Sequence, residues 1–208
     1  MEIFVLLLIS GACIAMAEYG KRRHKVATTL TRRGAHIGTS IVAVIAPLYV
    51  SHLLFVYICV FLALLLYVSK KYKILRSLHS VERHTYGEVY LPLGVALSAF
   101  VVLPHSLMAF QAGVLIMGIA DALAGIVGEY FGKHPLKVWG ATKSVEGSLV
   151  FFLTTFVITF CFIPTLGLHL LFIPLILTAL ELSLDKGLDN LALPLIAGTL
   201  FMTQAILL

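Results

Sequence analysis

The densest chemistry in the chain lies in two adjacent stretches. In "MGIADALAGIVGEYFGK" (residues 117–133), Gly118, Asp121, Gly125, Gly128 and Gly132 recur at spacings of three, four, three and four. On a helix that spacing places one carboxylate in a lane of glycines. Each glycine costs about 1 kcal/mol against alanine in a helix interior, so the lane needs a use. Close helix packing is one use; exposing backbone around Asp121 is the other. A carboxylate in a membrane helix is penalised by roughly 2.5–3.5 kcal/mol and ordinarily faces a partner or a polar cavity. The next stretch, "KHPLKVWGATKSVEGS" (residues 133–148), supplies Lys133, Lys137 and Lys143 as cations. Its Thr142, Ser144 and Ser148 are hydroxyl donors. A helix starting near Val145 would aim free N–H groups at phosphate. "ATKS" resembles the end of a P-loop, but the glycine pattern and preceding strand of that motif are missing. Glu146 would repel a triphosphate unless a cation such as Mg²⁺ stood between them. Its alternative reading is an acidic residue favoured in a first helical turn, as Ser144 reads as a helix cap.

Three further groups add to this chemistry. "ERHTYGEVYLPLG" (residues 82–94) brings Glu82 and Glu88, and "ELSLDKGLDNLALP" (residues 181–194) brings Glu181, Asp185, Asp189 and Asn190. "LTRRGAHIGTS" (residues 30–40) brings Arg32, Arg33 and His36, and arginine is the better phosphate fork. His36 reads equally as a base, a phosphate donor or a packed side chain, and Asp189 or Asn190 alone reads as a helix cap. Acids at several helix ends, interleaved with hydroxyls and cations, are the oxygen ligands that Mg²⁺ on phosphates requires.

The elements that must hold these residues are membrane helices. Of 208 residues, 60% are hydrophobic and only 12% charged, about half the globular share of roughly 25%. Mean hydropathy is +1.03, and most helical segments have no polar face for water. Apolar runs fall at 3–17, 35–51, 52–69, 89–104, 106–127, 148–164, 166–181 and 191–207. Against a hydrocarbon core of about 30 Å they predict an all-α polytopic bundle of seven or eight spans, some shorter than the usual 20 or so residues. One membrane domain fills residues 1–208, with no internal repeat or hydrophilic domain and no basic arm for nucleic acid.

Orientation follows from charge. All fifteen Lys and Arg lie in the connections 18–33, 70–83, 129–143 and 181–190, and the intervening connections carry no ionised residue. The positive-inside rule puts these four connections in the cytoplasm and both termini outside. The net charge of +5 is thereby concentrated where it meets anionic lipid or a nucleotide. Ala15-Met16-Ala17 resembles a signal-peptidase site, but no basic residue precedes it and "KRRHK" follows, so the segment is expected to remain as a span. Cys13, Cys59 and Cys161 lie in apolar runs without metal-like spacing, and the eight histidines form no zinc pattern.

Together, "RRGAHIGTS", "ERHTYGEVYLPLG", "GIADALAGIVGEYFGK", "KSVEGS" and "ELSLDKGLDNLALP", in this order, resemble the polyprenol kinase family. That family embraces dolichol, phytol and CTP-dependent diacylglycerol kinases and is more distantly similar to phosphatidate cytidylyltransferases. The resemblance covers about residues 30–200. Its most specific parts are the Gly-x-x-Asp helix, the Lys-Ser-x-Glu-Gly-Ser that follows, and the late Gly-x-Asp-Asn. It implies transfer of a phosphoryl group from a nucleoside triphosphate, typically CTP, to a lipid alcohol with a divalent metal such as Mg²⁺. Asp121 would bind metal or accept the alcohol proton, with Lys143 and Glu146 as further catalytic residues and Glu146 and Asp189 as further metal candidates. Arg33, Gly125, Gly128, Lys133, Lys143, Ser144, Gly147 and Ser148 would shape the nucleotide site, and His36, Glu82, Glu88, Glu181 and Asn190 would support it. The expected partners are a polyprenol, dolichol, phytol or geranylgeraniol and the surrounding lipids, at the cytoplasmic face of a membrane that analogy makes prokaryotic. Two rival readings are a cytidylyltransferase releasing pyrophosphate and a small transporter using Asp121 as an ion site. Charges gathered at the helix ends, without paired broken helices, count against transport.

Overall fold

The structure, a computed structural model, describes residues 27–72, 86–139, 141–163 and 169–207, with isolated positions 11, 12, 15, 19 and 167. The apolar run 3–17 as a span, and Glu82, lie outside the described residues. Seven helices are found among the described residues: α1 (Thr28–Ile45), α2 (His52–Lys71), α3 (Gly87–Val101), α4 (Leu107–Phe131), α5 (Val145–Phe162), α6 (His169–Ser183) and α7 (Asp189–Leu207). They correspond to the seven apolar runs after the first. Three of them, α2, α4 and α5, are long and apolar enough to cross a bilayer, while α3 and the stretch Leu170–Ser183 of α6 are shorter apolar helices.

Two departures from the sequence expectation matter for the site. Helix α1 starts at Thr28 rather than near 35, so Arg32 and Arg33 are helical rather than part of a loop. The polar stretch after α4 is folded as an antiparallel hairpin, β1 (Pro135–Val138) with β2 (Ala141–Ser144), in register Pro135↔Ser144 to Val138↔Ala141. Period-two alternation is present in "PLKV", but four residues are too few to outweigh a loop reading.

Helix α4 is the centre of the bundle. Phe110, Ala112, Val114, Ile116, Met117 and Ala120 on it are fully buried, and α1, α5 and α7 pack around it. Helix α3 joins α2 to α7, and α6 lies on α5. Phe110 meets Phe55 of α2 edge-on, with ring centroids 5.9 Å apart. The outer faces are apolar instead of charged: Tyr57, Phe61 and Leu64 of α2, and Leu149, Leu153 and Val157 of α5, are exposed. Such a surface suits lipid and would aggregate in water.

Where helices touch through backbone, glycine is required. A Cβ on Gly113 of α4 would sit 2.5 Å from Pro194 O and 2.8 Å from Gly198 N of α7. Gly187, at φ +87, lies with its Cα face against the backbone of Gly87. Gly34 of α1 has nothing within 4 Å. Gly113→Ala is therefore expected to cost about 1–3 kcal/mol by forcing α4 and α7 apart. Gly34→Ala is expected to be neutral or to stabilise by up to about 1 kcal/mol. Thermal unfolding in detergent checks both signs.

Candidate functional site

Because charged connections alternate with uncharged ones, antiparallel helices bring the charges to one end of the bundle. Several contacts there tie distant parts of the chain together: Lys70 Nζ of α2 lies 2.7 Å from Glu88 Oε1 of α3, and Thr29 Oγ1 of α1 donates to Glu129 Oε1 of α4 at 2.7 Å. Lys70 also lies 4.5 Å above the Tyr86 ring centroid, a cation–π contact.

Inside this end is a buried cluster drawn from five parts of the chain. Arg33 of α1 donates through one nitrogen to Asp121 Oδ2 at 2.5 Å and to the Asp121 carbonyl at 3.1 Å. Asp121 is 3% exposed. Across from this pair, Lys143 of β2 donates to Glu181 Oε1 of α6 at 2.6 Å, and its Nζ lies 3.6 Å from Asp189 Oδ2 at the start of α7. Burial disfavours the Lys143 ammonium, but the Glu181 carboxylate, followed by Asp189 and Asp121, outweighs burial and holds its pKa above the ordinary lysine value. Lys143 is thus a fixed cation at neutral pH. Asp121 acts on it electrostatically, so the two groups of charges form one field.

Local sequence explains how these side chains arrive there. Residues Ile116–Ala120 form a π-helical turn immediately before Asp121. A wider turn of this kind recurs at functional sites because it re-aims the following residues. It divides the glycine lane: Gly118 meets Ser40 of α1, Gly125 lies directly under the Arg33 guanidinium, and Gly128 and Gly132 lie against Ser144 and Gly147. The lane is filled by this chain's own groups, and a Cβ on Gly125 would displace the Arg33 guanidinium. Ser144 caps α5, its Oγ accepting from Gly147 N at 3.1 Å, which fixes Lys143 one residue earlier on the strand. Asn190 Nδ2 donates to Gly87 O at 2.9 Å, joining the α7 start to α3.

Other expected site residues lie elsewhere. Glu146 pairs with His134, Oε1 to Nδ1 at 2.6 Å, and accepts from His134 N at 3.3 Å, at the foot of the hairpin. Lys133 is exposed there. Glu88 is taken by Lys70, and His36 is buried with Nε2 2.9 Å from Met117 Sδ. Among the described residues no three His, Cys, Asp or Glu side chains gather as a metal-holding group, so Asp121, Glu146 and Asp189 do not form one. Several buried polar atoms in and below the cluster lack a hydrogen-bond partner: Arg33 Nε, Glu181 Oε2, Asn190 Oδ1, Ser148 Oγ, Ser40 Oγ and Thr155 Oγ1. Native interiors pair most such atoms, so each of these is a polar group that the protein's own side chains and backbone do not satisfy. The partners Lys70 and His134 were missed in the sequence; alternating charge across facing helix ends is the only signal that could have suggested them.

No protein-family model matches the chain, and no solved structure does. Similar proteins nevertheless exist. A phytol kinase of a Synechocystis species is 34% identical over 198 residues, covering 89% of this chain and 83% of its own length. An uncharacterised protein of Methanocaldococcus jannaschii is 33% identical over 120 residues, covering 57% of this chain and 59% of its own. A dolichol kinase of Schizosaccharomyces pombe is 28% identical over 124 residues, 55% of this chain and 24% of its own. With the first likeness extending over nearly the whole of both chains, and with the glycine-flanked Asp121 and the Lys143 strand gathered at one buried centre, this protein belongs to the polyprenol kinase family, alongside phytol and dolichol kinases.

Proposed function

We propose that the protein transfers the γ-phosphoryl group of a nucleoside triphosphate, CTP in the first instance, to the hydroxyl of an isoprenoid alcohol at the cytoplasmic face of its membrane. The observation that carries this reading is the buried cluster in which two fixed cations, Arg33 and Lys143, stand among Asp121, Glu181 and Asp189. The names of the phytol and dolichol kinase relatives support a lipid-alcohol acceptor. The apolar outer faces of α2 and α5 support delivery of a prenyl chain through the bilayer with its hydroxyl end at the charged layer.

Phosphoryl transfer needs alignment and neutralisation of charge more than covalent help. Arg33 and Lys143 would hold phosphate oxygens from two sides. Asp121 would orient the acceptor hydroxyl and take its proton as the new P–O bond forms and the bond to the nucleoside diphosphate breaks. The residues also fit a divalent cation that arrives with the phosphates, because Mg²⁺ bound in this way needs only one or two protein carboxylates. Glu181, with a buried oxygen lacking a partner, and Asp189 at the α7 start would hold it. When bound, the cation neutralises charge on the transferring phosphate. Glu146, tied to His134, would hold the hairpin so that Lys143 stays aimed at the cluster. Ser144 and Gly147 would do the same through the helix cap.

Two outcomes test the proposal. Purified protein given CTP and phytol or a short polyprenol is expected to release CDP with the phosphorylated alcohol. EDTA should stop the reaction and added Mg²⁺ restore it. Release of pyrophosphate instead would establish the cytidylyltransferase reading. Lys143→Met, shown by its melting curve in detergent to be folded, is expected to lower kcat by roughly 10²–10³-fold, the scale for removing one pre-placed charge donor. A kcat within threefold of the unmodified protein would remove Lys143 from the phosphate site.

A further inference from the structure

The hairpin has a second face that the phosphoryl-transfer site does not use. Leu136, Val138 and Lys143 are half-buried on the inner face, and β2 touches the end of α6, so the hairpin lies across the bundle end instead of standing away from it. The opposite face carries Lys137 and its strand partner Thr142, both exposed. The register leaves a two-residue turn that starts with Trp139, which is 89% exposed and has φ +45. A tryptophan in this left-handed conformation costs about 1–2 kcal/mol, where asparagine or glycine would turn the chain without strain. Turn formation therefore does not explain the ring. Just before the hairpin, the last residues of α4, Tyr130 and Phe131, are 48% and 66% exposed.

The length of α4 bears on what this face meets. The 25 residues of α4 extend about 37 Å, more than a hydrocarbon core of about 30 Å and less than the 40–45 Å that includes both headgroup layers. If Leu107 stands at one hydrocarbon boundary, Phe131 would emerge inside the opposite headgroup layer, and a hairpin lying flat from that point would run along the layer. Tryptophan and tyrosine concentrate at this depth, and a lysine there meets anionic phosphates. We propose that the outer face of the hairpin is a lipid-headgroup latch: Trp139 and Phe131 sit among the headgroups of the protein's own bilayer, Lys137 meets anionic lipid phosphate, and this attachment keeps Lys143 on the inner face over the charged cluster. The occupant is the membrane surface. A stacked nucleotide base, the other natural partner of an exposed tryptophan, is the competing outcome.

Trp139 is the sole tryptophan of the chain, so intrinsic fluorescence reports on this position alone. The test uses the full chain in nanodiscs of phosphatidylcholine, with and without phosphatidylglycerol. The expected result is strong quenching by a headgroup-level spin-labelled lipid, weak quenching by aqueous iodide, and further protection from iodide when phosphatidylglycerol is present. Lys137→Glu is expected to abolish that phosphatidylglycerol dependence while leaving the melting temperature unchanged. Iodide quenching as strong as for free tryptophan would overturn the proposal. So would quenching that appears only when CTP is added and is indifferent to labelled lipid. The latch also predicts faster turnover in nanodiscs that contain phosphatidylglycerol. Trp139→Gly, which relieves the backbone strain, is expected to lose that difference while its melting temperature holds or rises; an undiminished difference in this variant would overturn the proposal.

Discussion

The structure depends on one buried ion pair. Arg33 and Asp121, 88 positions apart, face each other between α1 and α4, and α4 is the element around which α1, α5 and α7 pack. Neither charge could be left alone there: breaking a buried pair by removing one partner costs roughly 3–5 kcal/mol. The pair explains why α1 begins before its arginines instead of after them. It also explains the glycine at position 125, where the guanidinium lies flat on the α4 backbone. The π turn preceding Asp121 and the absence of a side chain at Gly118 let α1 approach closely enough for the pair to form.

The remaining charges follow from topology. Antiparallel helices with charged connections on one side must assemble those charges at one end, and a membrane offers them little water to share. They become one another's partners: Lys143 with Glu181 and Asp189, Lys70 with Glu88, His134 with Glu146. Lys143 reaches carboxylates on two helices at once, Glu181 Oε1 at 2.6 Å and Asp189 Oδ2 at 3.6 Å, while Glu181 Oε2 has no hydrogen-bond partner in the protein. The cluster holds two cations among three carboxylates, and on the proposed reading a phosphate-bearing substrate would enter it by exchanging contacts with Arg33 and Lys143.

Much of this was legible in the sequence. The apolar runs match the seven described helices, of which three are long and apolar enough to cross a bilayer, and Asp121 stands out because a carboxylate in such a run is costly. Lys143, Glu181 and Asp189 are visible as charges at helix ends, and the motif order carries the family resemblance. Three things were not legible. The start of α1 was displaced because two arginines read as loop until the partner of Arg33, 88 residues later, is known. The hairpin is too short for its alternation to be distinguished from a polar turn. The fate of the glycines depended on a π turn that has no sequence signature, so a lane that suggested exposed backbone is instead filled by Arg33, Ser40 and Ser144. Glu146 illustrates the general limit: spacing places it beside Lys143, whereas folding gives it to His134.

The central claim is that the Arg33–Asp121 pair is part of the reacting centre as well as a tie between helices. Asp121→Asn tests this most directly, since the amide keeps an oxygen for Arg33 while losing the basicity needed to accept a proton. Turnover with CTP, Mg²⁺ and an isoprenoid alcohol should be measured beside equilibrium CTP binding on the same detergent-solubilised sample. The account predicts that CTP binding persists while kcat falls by about 10²–10⁴-fold, the range for losing a positioned general base. Turnover at the level of the unmodified protein would contradict it and leave the pair a purely structural tie.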